Sequence, residues 1–219
     1  MAKNLIDPRL EVTDMPARRG FFAHVGGLVA LGLAGISAAR AQAPAGDGPN
    51  WPGDLKGRHR QVVDAYEANG GFPLAYAYTF LAPNASASAV VVLRHLATPM
   101  GLTDAMWSKY KIGATLEIDD PETKTPAVKN PFIRPKPGVL MTDDMAIDKL
   151  LAAGTVFGVC NVAIQVLSKN LAGNAGVSAD AAAKEWAANV ISGMTIIPSG
   201  TWGVNRAQEA GCTYCTGGG

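Results

Sequence analysis

The chain has 219 residues, 48% of them hydrophobic, with 19 Lys and Arg against 18 Asp and Glu for a formal net charge of +1. That length suits one domain, or one domain behind a removable leader, and can bury a core without help from disulfides or metals. The balanced charge leaves no electrostatic footprint for DNA or RNA and excludes a nucleic-acid partner on that ground.

Residues 1–41 read as a twin-arginine signal peptide. A polar opening ends at Ala17-Arg18-Arg19-Gly20-Phe21-Phe22, a glycine-diluted apolar run follows from Val25 to Ile36, and Ala39-Arg40-Ala41 supplies an A-x-A cleavage site. The apolar run is shorter than the about 20 residues that a bilayer-spanning helix needs. The leader holds five basic and three acidic residues, so the mature chain carries 14 and 15, a net charge of −1. The expectation is a periplasmic protein with no stable membrane span once the signal is cut near Ala41.

Residues 42–57 are rich in Pro, Gly and Ala, with Trp51 as the large apolar residue, and read as a flexible linker. A single domain then spans 58–219. Arg60 to Ala65 is a weak first strand. Pro73 to Leu81 suits a helix with proline in its first turn. Ala89-Val90-Val91-Val92-Leu93 is the continuous apolar run of a strand covered on both faces. Leu102 to Ile112 reads as a helix closed by Gly113. From Gly113 to Met141 five prolines break all periodicity, which predicts a long excursion with room for a short hairpin, either a lid or a solvated surface loop.

Order then returns. Thr142 caps a helix that opens on Asp143 and Asp144 and ends at Gly154. Thr155 to Val159 is a strand and Asn161 to Leu171 a helix. Ser178 caps another helix, on which Ala183, Trp186, Ala187, Val190 and Ile191 share one face. Met194 to Ile197 is a strand, and Ser199 caps a last helix that stops at Gly211. The alternation predicts a parallel α/β sheet with helices on both faces.

In such sheets reactive groups gather beyond the carboxyl ends of the strands. Three turns fall there: Arg94-His95, Cys160, and Pro198-Ser199-Gly200. Cys160 stands where a strand hands over to a helix, near free backbone N–H groups that lower a thiol's pKa, so it reads as a nucleophile. A small buried hydrophobe at a strand end is the other reading. Arg94 and His95 can supply positive charge to an anion at the same edge, or simply face solvent. His59 has no assigned role. Cys212-Thr213-Tyr214-Cys215 is a C-x-x-C, either a redox pair or a local structural disulfide. No His follows Cys215, so the haem attachment pattern fails, and because the pair stands alone a four-thiolate zinc site would need an oligomer or His ligands. There is no G-x-S-x-G elbow, Walker loop or H-E-x-x-H motif. No metal or cofactor is expected.

The run Ala89-Val90-Val91-Val92-Leu93-Arg94-His95, then Phe157-Gly158-Val159-Cys160-Asn161-Val162-Ala163, then Met194 through Pro198-Ser199-Gly200-Thr201-Trp202 to Arg206-Ala207-Gln208-Glu209-Ala210-Gly211, resembles the DsrE/DsrF-like sulfur relay family, in its exported, signal-bearing branch. The resemblance spans roughly residues 58–211. It implies a three-layer flavodoxin-like fold, a homo-oligomer, and a persulfide carried on Cys160 as a sulfurtransferase-like sulfur carrier. A sulfur donor or acceptor protein, or a small sulfur compound, would be the partner. The Pro-rich excursion and the terminal C-x-x-C lie outside that family's pattern. Three functions follow as expectations: sulfur handling, with Arg94 and His95 stabilising the Cys160 anion and Cys212 and Cys215 resolving it; a non-catalytic ligand-binding or assembly module; and thiol redox centred on Cys212 and Cys215.

Overall fold

In the computed structural model, residues 49–138 and 140–218 are described. The signal peptide and its cleavage site at Ala41, expected from the sequence, lie outside the described residues. Five strands form one sheet: β1 (His59–Ala65), β2 (Ala87–Leu93), β3 (Val156–Cys160), β4 (Thr195–Ile197) and β5 (Thr213–Thr216). Their order is β4-β3-β2-β1-β5 and every pairing is parallel. The expected three-layer, flavodoxin-like α/β architecture is present, with its own strand order in place of the 2-1-3-4-5 of flavodoxin itself.

Period-two alternation assigns the side chains to two cores. Val63, Ala65, Ala89, Val91, Leu93, Phe157 and Val159 face the larger one. It is completed by α1 (Phe72–Leu81), α2 (Asp104–Lys109), α3 (Ile112–Leu116), α4 (Ile147–Ala152), α5 (Asn161–Leu171) and α6 (Ala179–Ala188). Val62, Val90, Val92 and Ile197 face the other, with Trp51, Leu55, Ala207 and Cys212. That second face is covered by α7 (Gly200–Glu209) and by the segment from Trp51 to Leu55. Local capping places the helices where the sequence indicates. The Ser178 and Ser199 hydroxyls accept from the N–H groups of Ala181 and Trp202, each at 3.2 Å.

Five expectations are corrected. The helix behind Ser178 ends at Ala188, so Val190 and Ile191 do not share its face, and Val190 instead pairs with Leu102 in an isolated bridge. The segment around Trp51 is no linker: Trp51 is 5% exposed, and its ring takes the space above Gly158, where a Cβ would lie 2.6 Å from its Cζ2. The single helix from Leu102 to Ile112 is two, α2 and α3, broken where Lys111 adopts φ +50°, and Gly113 lies inside α3 against the Ala127 backbone. Thr142 caps a single 3-10 turn, Asp143–Met145, and α4 starts afresh after Ala146. The chain end, read as a cysteine pair before a tail, forms β5 alongside β1.

The Pro-rich excursion is anchored. A hairpin closes with an antiparallel bridge between Asp119 and Pro126. Beyond it, the buried Asn130 donates to the Met100 and Leu102 carbonyls at 2.9 and 2.7 Å, and Phe132 enters the larger core. A cleft of about 640 Å³ opens between this excursion and the start of α2, lined by Asp104, Asp120, Glu122, Lys129, Arg134 and Lys136. No helix among the described residues is long and apolar enough to cross a membrane.

Candidate functional site

Strand parity decides what meets at the carboxyl edge. Asp64, Arg94 and Cys160 continue the side of β1, β2 and β3 that faces α7, and Tyr214 of β5 shares it. Cys160 ends β3 and caps α5, 5% exposed. Its Sγ accepts two backbone N–H groups, from Ala163 in the first turn of α5 at 3.4 Å and from Gly200 at the start of α7 at 3.2 Å. Two helix N-termini therefore converge on one sulfur, a setting that favours negative charge.

Burial opposes them. It pushes the Cys160 thiol above its ordinary range, while the N–H groups of Ala163, Gly200 and Val162 and then the charge of Arg94 pull it back. The net direction is up, which corrects the expectation of a lowered value: a sulfur sealed beneath the sheet edge loses more hydration than the peptide dipoles return.

Arg94 is held at both its head and its stem. Its Nε and Nη2 donate to the two oxygens of Asp64 at 2.6 and 2.9 Å, a bidentate pair. Its guanidinium lies 4.8 Å from the Tyr66 ring centroid. Its stem crosses Gly200, where an added Cβ would collide with the Arg94 Cβ and come within 2.5 Å of Cδ. Only glycine at 200 allows the arginine to lie there while the same residue donates to Cys160.

His95 does not carry charge here. Burial first, and then Arg94, hold its imidazole below the ordinary histidine range, so it is neutral at neutral pH. Its ring stacks on Tyr66 with centroids 4.2 Å apart, in a backbone with φ +50°. The positive charge expected from Arg94 and His95 together comes from Arg94 alone.

The cysteines of the terminal C-x-x-C are not brought together. All three cysteines are free. Cys212 sits in the smaller core and Cys215 packs against the larger one, on opposite faces of the sheet. A disulfide usually needs Cα atoms about 4.4–6.8 Å apart and Cβ vectors that converge, which side chains on opposite faces of a sheet do not provide. Cys212 also stands at the amino end of β5, across the sheet from Cys160 at the carboxyl end of β3. His59 opens β1, exposed, at that same far end.

Sequence reasoning missed Asp64, Tyr66 and Tyr214. Asp64 is 6% exposed and accepts from Tyr214 Oη at 3.1 Å as well as from Arg94. An acid inside the run Val62-Val63-Asp64-Ala65 was the available signal, since a charge in a buried strand requires a partner. Among the described residues no group of three or more His, Cys, Asp and Glu side chains gathers as a metal site would require. Comparisons of the chain with protein-family models, curated proteins and solved structures give no match.

Proposed function

We propose that the protein is a periplasmic, DsrE-like carrier of sulfane sulfur, exported by the twin-arginine signal read in residues 1–41, with Cys160 as the residue that holds the sulfur. The observation that supports it best is the convergence of the Ala163 and Gly200 N–H groups on Cys160 Sγ, beside the fixed charge of Arg94. These groups stabilise an anion at the sulfur, and a persulfide, a stronger acid than its parent thiol, is the anion that stands to gain most.

The transfer balances without an added oxidant. The Cys160 thiolate attacks the outer sulfur of a donor persulfide R–S–S–H. A Cys160 Sγ–S bond forms, the donor's S–S bond breaks, and R–S⁻ leaves as the donor thiolate; the proton stays on the new persulfide or passes to the leaving group. Delivery to an acceptor thiol is the same step in reverse. Arg94 steadies the negative charge in both directions.

The test is intact mass spectrometry after incubation with a small persulfide donor, before and after reductant. Wild type should gain a reductant-sensitive mass of about 32 Da, one sulfur, and Cys160→Ser should not. A Cys160→Ser chain that carries as much sulfur would end the proposal.

One observation favours a second reading, a non-catalytic ligand-binding or assembly module: Cys160 is 5% exposed and its thiol is raised by burial. In that case Cys160 should resist alkylation in the folded protein, even with a small reagent at alkaline pH.

A further inference from the structure

The C-x-x-C at the chain end has no role as a pair, yet the strand that carries it reaches the site. Register places Tyr214 opposite Val62 and Thr216 opposite Asp64. From there Tyr214 Oη donates to Asp64 Oδ2 at 3.1 Å, the same oxygen that accepts from Arg94 Nη2 at 2.9 Å, while Oδ1 accepts from Arg94 Nε at 2.6 Å. The carboxylate is thereby fixed by two strands at once, and it fixes the arginine in turn.

We propose that Asp64 and Tyr214 are positioning residues for Cys160: together they hold the Arg94 guanidinium where its charge falls on the sulfur, so the working part of Cys212-Thr213-Tyr214-Cys215 is its tyrosine. The inference rests on the reading of Cys160 as the reactive thiol. An unanchored arginine here would swing outward on its rotatable stem, since 26% of the side chain is already exposed, and its charge would be screened by water. Held in two places on Asp64, with its stem over Gly200, it stays beside the N–H that bonds the sulfur. Two effects of Asp64 on the sulfur compete. Its own negative charge disfavours the thiolate, and its grip on Arg94 favours it. Arg94 is among the groups that act on Cys160 and Asp64 is not, while Asp64 holds Arg94 at two points, so the grip should win.

The experiment follows Cys160 alkylation by peptide mass spectrometry across pH in the full chain, reading the midpoint of the profile so that altered access does not confuse the result. Arg94→Ala should move the midpoint to higher pH and reduce the thiolate fraction at a fixed pH by roughly threefold. Asp64→Asn should do the same, and the double variant no more than either alone. Arg94→Lys should fail to rescue, because an ammonium cannot make the two-point contact. Tyr214→Phe, at an exposed position that folding tolerates, should give a smaller change of the same sign that vanishes in the Arg94→Ala background. A midpoint that falls in Asp64→Asn, additive effects of the Asp64 and Arg94 changes, or no effect of Tyr214→Phe would each overturn the inference. The readout is the thiolate and needs no sulfur donor. An absence of sulfane sulfur on Cys160 would therefore sink the carrier reading alone, and additive profiles this one alone.

Discussion

At Cys160 burial and the converging N–H groups act in opposite senses, and one methyl group nearby should disturb the second of them. Gly200 has two duties: its N–H donates to Cys160 Sγ at 3.2 Å, and its missing side chain leaves room for the stem of Arg94. Gly200→Ala must displace either the arginine or the start of α7, and overpacking of this kind costs about 1–3 kcal/mol. We expect that loss in urea unfolding, together with a Cys160 alkylation profile moved to higher pH. A result in which stability falls and the profile stays put would mean that the Gly200 N–H contributes nothing to the thiolate. Cys160 and Arg94 were legible in the sequence because each follows an apolar run that reads as a strand. Asp64 and Tyr214 were not, because their partnership depends on which strand lies beside β1, and no local pattern carries that.

Among the elements, the short segment before β1 departs furthest from its reading as a linker. Trp51 packs with Val62, Val90, Val92 and Ile197, and its ring stands 6.3 Å from that of Trp202 in α7. It completes the thin third layer that α7 cannot cover alone. Trp51→Ala should therefore cost about 3–5 kcal/mol, read as a lower urea midpoint at unchanged slope. A free linker would show no change. The sequence hid this because a stretch rich in Pro and Gly has no period, and one tryptophan gives no pattern to extend. The helices were clearer. Asn161–Leu171 and the helix behind Ser199 stand where spacing and caps put them, whereas the helix behind Ser178 stops at Ala188, short of the Val190 and Ile191 that its apolar spacing included. The helix read over Leu102 to Ile112 failed because its apolar spacing continues through Lys111, where the backbone turns left-handed and begins α3.

For the molecule as a whole, the thiols set an alkaline limit. Burial raises Cys160, Cys215 and above all Cys212, the last pushed up to about 11 from an ordinary 9.0. The folded state then keeps its thiol protons to higher pH than the unfolded chain, so unfolding releases protons above the ordinary thiol range and stability falls with rising pH. The contribution is intact below pH 9 and is lost as pH climbs toward the raised values. Chemical denaturation between pH 8 and 11 should show this decline, and Cys212→Ala should flatten it; an unchanged slope would mean that Cys212 ionises freely in the native protein. The sheet class and its two covered faces were legible from the strand and helix rhythm, whereas the order of strands was not. That order has a temporal meaning. β1, among the earliest parts of the fold to be synthesised, is flanked by β2 and by β5, and Tyr214 meets Asp64 across 150 residues of chain. Until the final residues emerge, one edge of β1 has no neighbour and the arginine clamp lacks one of its ends. Closing so long a loop is slow relative to local pairing, so the contact that completes the clamp is among the most non-local in the fold.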